Sequence, residues 1–245
     1  MSVSITFAGS GDAFGSGGRF QTCIVVDFSG GRFLLDCGAS SLIALKQLGI
    51  SPASIDTILI THLHGDHFGG LPFFILDAQF SKRETPLVIA GPPGLRDRLK
   101  AAMEVLFPKS SETKQRFPID VVELPAETTT ALGAIRVVPL EVIHFCGSPA
   151  YALRIECEGR TIAYSGDTEW TDNLLKLARG ADLFICEAYY FDKKVRFHLD
   201  YTMLMARKAE LECNRLVLTH MSADMIRRLG DVTSEWAEDG QTIEI

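Results

Sequence analysis

The sequence has no long apolar run and no cysteine pair at a redox or metal spacing. Its longest apolar stretches, such as residues 58–60, fall far short of the roughly 20 residues that a membrane helix needs. The N-terminal residues alternate in polarity and lack a basic segment followed by an apolar core, so we expect no signal peptide. The six cysteines show no CxxC spacing, which predicts reduced core residues in a cytoplasmic protein rather than a disulfide framework.

Linkers, low-complexity tracts and long charge runs are also missing. Apolar residues make up 47% of the sequence and charged residues 22%, which is globular usage and argues against a disordered chain. The length of 245 residues and the uninterrupted composition predict one domain across residues 1–245. The formal net charge of −7 argues against a broad nucleic-acid-binding face, although a local basic patch is compatible with it.

Short apolar segments alternate with helical patterns along the chain. Segments rich in β-branched and apolar residues predict strands at 3–7, 22–27, 32–36, 55–61, 87–90, 121–124, 134–142, 151–156, 161–165, 183–187 and 216–219. Helices are predicted at 40–48, 71–80, 94–106 and 201–213. Residues 57–62 and 215–220 share the order apolar strand, threonine, histidine, which suggests two αβ halves facing one site. The alternation predicts an α/β fold.

A cluster of ligand-type side chains follows the strand predicted at 55–61. His62 and His64 are two residues apart, so both point to the same side of an extended backbone. Asp66 and His67 follow the turn at Gly65 and can reach a second position. Imidazole and carboxylate are the ligands that Zn²⁺ uses in hydrolytic sites. The cluster predicts a metal-dependent hydrolase.

Three further candidates each follow a predicted strand. They are His144, Asp167 and His220. Singly, a strand-end histidine or aspartate is more often a cap or turn residue than a ligand. Together with the cluster they make seven groups, enough for two ions. Zinc is favoured, and manganese or iron can occupy the same nitrogen and oxygen ligands.

These features resemble the metallo-β-lactamase superfamily, and within it the branch typified by tRNase Z. The matching motifs run nearly end to end: residues 9–12, 36–38, 61–67, 91–94, His144, 165–168, 187–188, His198 and 219–222. The resemblance implies an αββα four-layer sandwich. It also implies that His62, His64 and His144 bind one zinc, that Asp66, His67 and His220 bind the other, and that Asp167 bridges them.

The resemblance implies a mechanism as well. A metal-bridging hydroxide would be the nucleophile, and Asp66 would also orient it. His198 is the histidine left over from the ligand set, and it lies where the branch places its general acid, with Glu187 as the acidic partner. A surface histidine before a helix remains the alternative for His198. Asp36 either accepts a hydrogen bond from a ligand histidine or only shapes the turn at Gly38.

Two loop segments have less specific patterns. Residues 193–196, Lys-Lys-Val-Arg, either contact substrate phosphate or form a solvated loop. Residues 9–18 are glycine-rich but lack the GK[ST] ending of a phosphate-binding loop, so we expect a flexible loop at the rim of the site.

The substrate is constrained by departures from the tRNase Z pattern. Enzymes of that branch carry a tRNA-clamping arm between the third metal histidine and the Gly-Asp-Thr motif, whereas here Asp167 follows His144 by only 23 residues. Asp224 and Met225 replace the family's Arg-Tyr pair. We therefore expect a phosphodiesterase for small substrates, such as a cyclic nucleotide or a short nucleotide fragment. Hydrolysis of lactones, thioesters, sulfate esters or β-lactams, tRNA 3′ processing, and a non-catalytic metal-binding role stay open, as does a homodimer.

Overall fold

The computed structural model describes residues 2–245, which form two seven-stranded β-sheets with helices on their outer faces. The first sheet contains, in spatial order, β14 (Thr242–Glu244), β1 (Ser4–Gly9), β2 (Cys23–Phe28), β3 (Gly31–Leu35), β4 (Thr57–Leu59), β5 (Leu87–Gly91) and β6 (Ile119–Glu123). The second contains β13 (Glu235–Trp236), β12 (Leu216–Thr219), β11 (Leu183–Glu187), β10 (Arg160–Tyr164), β9 (Ala150–Cys157), β8 (Ile135–Val142) and β7 (Thr130–Leu132).

The helices are short and connect the strands. They are α1 (Ser41–Gln47), α2 (Gly65–Phe68), α3 (Leu71–Phe80), α4 (Leu95–Leu106), α5 (Asn173–Ala178), α6 (Tyr201–Ala206) and α7 (Ala223–Arg227). Single 3₁₀ turns occur at Ser16–Gly18, Pro52–Ser54, Ser110–Glu112, Lys208–Glu210 and Leu229–Asp231. Within residues 2–245, no helix combines the length and the apolar character that crossing a membrane would take.

Both sheets are mixed. In the first, β1, β2 and β3 pair antiparallel and β3 to β6 pair parallel. In the second, β7 to β10 pair antiparallel and β10 to β13 pair parallel. Phe28 pairs with Gly31, so β2 and β3 form a hairpin with a two-residue turn. The carboxyl ends of the parallel strands carry the loops that build the site.

Apolar side chains fill three layers. Along β2, Val26 faces the second sheet while Val25 faces the helices, as the two-residue period of a strand requires. Leu153 and Ile155 of β9 complete the layer between the sheets. Helices α1, α3 and α4 cover the outer face of the first sheet, and α5, α6 and α7 cover that of the second. This arrangement is the predicted αββα sandwich.

Two predicted elements are several residues shorter than expected. The strand expected at 55–61 is only Thr57–Leu59, although every residue of the segment except the exposed Asp56 is buried. The helix expected at 201–213 is wrong: α6 ends at Ala206 and a 3₁₀ turn follows. Backbone hydrogen bonds explain the difference, because the Glu212 carbonyl accepts from Gly180 N–H and the Asn214 N–H donates to Ala181, which ties this segment to the α5–β11 connection.

Candidate metal centre

The seven predicted metal ligands come together at one edge of the two sheets. Their donor atoms form two groups, each with all members within 4.8 Å of one another. The first group is His62, His64 and His144, and the second is Asp66, His67, Asp167 and His220. Each group combines residues that follow strands of the first sheet with residues that follow strands of the second.

Within the first group, Nε2 of His144 lies 3.0 Å from Nδ1 of His64. Nε2 of His62 lies 3.8 Å from Oδ2 of Asp167, and Nε2 of His144 lies 3.9 Å from the same oxygen. The three imidazoles therefore direct nitrogen atoms towards one point, with Asp167 next to it.

The second group is more compact. Nε2 of His67 lies 3.2 Å from Oδ2 of Asp66 and 3.3 Å from Oδ1 of Asp167. Nε2 of His220 lies 3.2 Å from Oδ2 of Asp167. Asp167 thus contacts the donor atoms of both groups, which is the position that a bridging carboxylate requires.

The residues fit a divalent metal by a separate observation. Nε2 of His62, Nε2 of His67 and Oδ1 of Asp167 are buried and have no hydrogen-bond partner within residues 2–245. Buried polar atoms are almost always hydrogen-bonded, because leaving one unpaired costs roughly 1–3 kcal/mol. Three such atoms directed at a common space are explained by metal coordination, and the His/Asp donor set is one that divalent ions use.

The candidate ligand imidazoles are oriented through their second ring nitrogens. Asp36 accepts from Nδ1 of His67 at 2.7 Å, and the backbone carbonyl of Phe197 accepts from Nδ1 of His144 at 2.8 Å. The Thr61 hydroxyl lies 3.1 Å from Nδ1 of His62. Such contacts fix the tautomer and the direction of the metal-facing nitrogen.

Asp36 joins several elements at the site. Its carboxylate also accepts from the Thr61 backbone N–H at 2.8 Å and from the Tyr164 hydroxyl at 2.9 Å. Its backbone has a left-handed φ of 59°. Of the two roles left open by the sequence, hydrogen bonding to a candidate ligand histidine is therefore present.

The backbone at Gly38 lies close to the backbone of α2, the helix that carries the candidate ligands Asp66 and His67. A Cβ atom at Gly38 would lie 2.2 Å from the carbonyl oxygen of Asp66, which no side chain tolerates. The Cys37 backbone N–H donates to the carbonyl of His67 beside it. Because Gly38 has no side chain, the chain after β3 packs directly against the segment that carries the two candidate ligands.

Burial and neighbouring charges shift the pKa values of the candidate ligands. Burial lowers the pKa of His144 to about 4 and that of His62 well below its usual range, so both are neutral at pH 7. Burial raises the pKa of Asp167, but His220 and His67 outweigh that effect and hold the pKa well below its usual range. Burial lowers the pKa of His67 and of His220, but Asp167 and Asp66 outweigh that effect and raise both values. Neutral imidazole and ionised carboxylate are the forms that bind metal, so an ion in the second group would displace the protons of these two histidines.

His198 and Glu187 form a pair beside the two groups. Nδ1 of His198 lies 3.1 Å from Oε2 of Glu187 and 4.0 Å from Oδ2 of Asp167. Glu187 is fully buried at the end of β11, and its other oxygen accepts from the Thr168 N–H. Burial lowers the pKa of His198, but the charge and hydrogen bond of Glu187, with Asp167, raise it to about 9.

Two further segments lie near the site. In residues 193–196, the Lys193 ammonium lies over the Tyr190 ring at 4.9 Å and the Arg196 guanidinium over the Phe197 ring at 4.9 Å. In residues 9–18, the Asp12 carboxylate accepts from the backbone N–H groups of Phe14 and Ser16, so this rim loop is internally hydrogen-bonded.

The sequence did not predict several of the contacts at the site. The Tyr189 ring stacks on His198 with centroids 4.5 Å apart, the Tyr164 hydroxyl binds Asp36, and the Phe197 carbonyl binds His144. The contact between Phe197 and His144 could not be predicted from side-chain chemistry, because it uses the backbone carbonyl of Phe197, whose φ is 72°. The Thr-His order that residues 61–62 and 219–220 share could have indicated the contact between Thr61 and His62.

Comparisons with known proteins place the chain among hydrolases of this fold. The family model described as Anti-Pycsar protein Apyc1 matches residues 3–240. Ribonuclease Z of Limosilactobacillus fermentum is 29% identical over 80% of this chain and 79% of its own, and that of Methanothermobacter thermautotrophicus is 28% identical over 99% and 97%. Human tRNase Z, short form, superposes with a TM-score of 0.80 at 29% identity, covering 98% of both chains.

These similarities and the His/Asp cluster identify a metal-dependent, ester-cleaving hydrolase. They confirm the metallo-β-lactamase fold and the tRNase Z-like branch. The chain belongs to the Anti-Pycsar protein Apyc1 family, within the tRNase Z-like branch of the metallo-β-lactamase superfamily.

Proposed function

We propose that this protein is a binuclear metal phosphodiesterase that cleaves small phosphodiesters, such as cyclic nucleotides or short nucleotide fragments. One observation carries the proposal: the His198–Glu187 pair, 3.1 Å apart, lies beside both donor groups. A leaving alkoxide needs a proton, and a histidine kept protonated by a buried carboxylate can supply it. Hydrolysis of a thioester makes less use of such a pair, because a thiolate leaves without needing a proton.

The proposed ligands follow the two donor groups. His62, His64 and His144 would hold one ion, Asp66, His67 and His220 the other, and Asp167 would bridge, with zinc favoured over manganese or iron. When bound, the two ions would lower the pKa of a water molecule and neutralise charge on the phosphate oxygens. Asp66 would also orient the water by accepting its hydrogen bond.

His198 would donate the proton to the leaving oxygen. Its Nδ1 faces Glu187, which leaves Nε2 for the substrate. Glu187 is itself held by the Thr168 N–H and by the position of its backbone at the end of β11. The Tyr189 ring stacked on His198 fixes the plane of the imidazole.

The small size of the proposed substrate rests on the segment between His144 and Asp167. Strands β9 and β10 occupy most of it, and Glu158 and Gly159 form the two-residue turn between them. A hairpin that lies within the sheet offers no clamp for a tRNA body.

Each donor group draws on both halves of the chain, which supports one domain across residues 1–245. All six cysteines are free, which supports the cytoplasmic location.

The test compares three substrate classes with zinc or manganese restored to the protein. We expect turnover of bis-nitrophenyl phosphate and of a 3′,5′-cyclic nucleotide, and much slower turnover of nitrocefin and of a thioester. A matched His62→Ala variant, which lacks one ligand, should lose the phosphodiesterase activity. Preferential turnover of nitrocefin or the thioester would contradict the phosphodiesterase. No turnover of any substrate by the fully metallated protein would favour a non-catalytic metal-binding role.

A second candidate is a ribonuclease of the RNase Z type. It is favoured by the similarity to proteins named Ribonuclease Z, which extends over 80% to 99% of the chain. Cleavage of a tRNA precursor with a 3′ extension, measured beside the cyclic nucleotide, separates the two. A higher kcat/KM for the tRNA precursor would favour the ribonuclease.

A further inference from the structure

The chain enters the rim loop at Ser10 and leaves it at Phe20, and one carboxylate holds both points. Asp239, in the segment between β13 and β14, accepts from the Ser10 N–H at 2.8 Å through Oδ1 and from the Phe20 N–H at 2.7 Å through Oδ2. Its Oδ1 also accepts from the Ser10 hydroxyl at 2.8 Å. The Gly11 N–H donates to the Phe20 carbonyl at 2.7 Å. Asp239 thus closes the base of the rim loop, which we define as Ser10, Gly11 and Phe20.

The base of the rim loop and the adjoining Thr22 contact His220 at two points. The Ser10 carbonyl accepts from the His220 backbone N–H at 3.1 Å. The Thr22 hydroxyl donates to the Gly11 carbonyl at 3.3 Å and lies 3.3 Å from Nδ1 of His220, so it can accept the proton of that nitrogen. This leaves Nε2 of His220, which lies 3.2 Å from Oδ2 of Asp167, as the nitrogen that faces the second donor group.

The backbone of His220 has a conformation that depends on such contacts. Its φ is 56°, in the left-handed region that residues with a Cβ rarely adopt. A conformation of this kind persists only where the surrounding structure fixes it. The Ser10 carbonyl, which accepts from both the His220 N–H and the Thr219 hydroxyl, is one of the groups that fix it. Asp239 holds Ser10 and therefore acts on His220 through one intermediate residue.

These contacts lead to one donor group and not to the other. His220 belongs to the second group. The Thr22 carbonyl accepts from the Gly38 N–H at 3.0 Å, and Gly38 packs against the backbone of Asp66, another member of that group. Within residues 2–245, no hydrogen bond joins residues 9–22 to the members of the first group, His62, His64 and His144. The rim loop is therefore placed to affect the two groups unequally.

We propose that Asp239 is a positioning residue for the second metal ion: it closes the base of the rim loop, holds His220 in place and leaves the first ion unaffected. The proposal rests on the two-ion centre of the proposed function. It goes beyond that function by giving a role to the rim loop and to a carboxylate that is not a ligand.

Metal titration of an Asp239→Asn variant of the full chain tests the proposal. The amide NH₂ of asparagine cannot accept a hydrogen bond, so either the Ser10 N–H or the Phe20 N–H loses its acceptor and the base of the loop opens. In competition with a chromophoric chelator, wild-type protein should bind two zinc ions. The variant should bind one of the two at least about tenfold more weakly. Glu238→Gln is the matched control, because it removes an equal charge from an exposed neighbour that accepts from the Trp236 indole; it should bind both ions like wild type.

Cobalt absorption identifies which of the two ions is affected. His220→Ala lacks a ligand of the second group, and His64→Ala lacks a ligand of the first. With one equivalent of Co²⁺, Asp239→Asn should give the spectrum of His220→Ala and not that of His64→Ala. A general loss of folding would instead weaken both ions, and circular dichroism of the metal-free proteins would record it.

Two milder variants keep the proposal testable if Asp239→Asn does not fold. Ser10→Ala removes one of the three hydrogen bonds to Asp239 and should weaken the same ion by a smaller factor. Asp12→Asn alters the carboxylate that accepts from the Phe14 and Ser16 N–H groups within the rim loop, away from its base, and should weaken neither ion. Unchanged affinities in Ser10→Ala, or equal losses in these two variants, would contradict the role of Asp239.

The outcomes separate this proposal from the proposed function. Two ions in wild type and unchanged binding in Asp239→Asn, or equal weakening of both ions, would overturn the positioning role and leave the phosphodiesterase standing. Selective weakening of the second ion without turnover of any phosphodiester would leave the positioning role standing and overturn the phosphodiesterase. A wild-type chain that binds a single ion would contradict both.

Discussion

Asp36 accepts a hydrogen bond from Nδ1 of His67 at 2.7 Å, and both side chains are fully buried. The carboxylate that orients this imidazole also binds the Thr61 backbone and the Tyr164 hydroxyl. A candidate metal ligand, two strands of the first sheet and one strand of the second are therefore joined through one side chain. The arrangement leads to the first of five predictions.

Asp36→Asn should weaken metal binding by about 10- to 100-fold, the usual cost of losing a partner of a ligand histidine. Asparagine tolerates the left-handed φ of 59°, so the backbone need not change. Metal affinity is measured by competition with a chromophoric chelator. Asp27→Asn, which alters a partly exposed aspartate on β2 paired with Arg32, is the matched control. Equal affinities of the two variants would show that Asp36 does not support the site.

Removing the metal should destabilise the fold. The buried nitrogens of His62 and His67 and Oδ1 of Asp167 have no partner among the described residues. A ligand that binds only the folded state stabilises it by about 2.7 kcal/mol at a concentration of 100 Kd. The thermal midpoint should therefore rise with added zinc and fall with a chelator, as scanning calorimetry can record. A midpoint that is independent of zinc would count against a metal centre here.

His198→Ala should depress turnover according to the leaving group. A phosphodiester with an alkoxide leaving group should lose about 10²- to 10⁴-fold in kcat, the usual contribution of a general acid. A nitrophenolate needs no proton and should lose far less. The nitrophenyl substrate is thus the internal control for folding and metal content of the same variant. Equal losses on both substrates would remove His198 from the acid role.

The pH profile should have an alkaline limb set by His198. Burial lowers its pKa, but Glu187 and Asp167 raise it to about 9, so the acid form persists at pH 7 and is lost as the pH rises through that value. Metal binding offsets the contribution of Asp167, so the limb should lie at or below about 9. Glu187→Gln removes the raising charge and should move the limb to lower pH, in kcat measured with an alkoxide leaving group. An unmoved limb would assign it to another group.

Gly38→Ala should disrupt the site although it adds only a methyl group. Its Cβ would lie 2.2 Å from the carbonyl oxygen of Asp66, so the loop carrying two candidate ligands would have to shift. The matched control is Gly65→Ala, whose Cβ meets no atom within 4 Å. We expect weaker metal binding and a lower thermal midpoint for the first variant only. Similar behaviour of both variants would show that the close approach is not required.

Much of the fold could be predicted from the sequence because its signals are local. Continuous apolar segments bounded by glycine or by charged residues gave the strands Leu183–Glu187 and Leu216–Thr219 with their observed bounds. The short elements α5, α7, β7, β13 and β14 were not predicted, because two to six residues carry no clear periodicity. The helix at 201–213 failed because hydrogen bonds to a distant segment, and not local periodicity, decide where it ends.

The candidate site could likewise be predicted only in part from the sequence. The seven proposed ligands and Glu187 follow predicted strands or end them, and His198 precedes a predicted helix, so the residues could be named before their positions were known. The groups that orient them are less accessible to sequence reasoning. The Phe197 carbonyl acts through a backbone atom, and the Tyr164 hydroxyl reaches Asp36 across 128 residues of chain.

Both donor groups combine residues from the two sheets, and this has a consequence for assembly. His62 follows β4 in one sheet and His144 follows β8 in the other, and the same division holds for His67 and His220. Neither half of the chain can complete a binding set alone. Two bound ions would therefore link the two sheets. Metal uptake during refolding would report when the two halves of the chain pack together. Removing the ions with a chelator would first weaken the contact between the two sheets.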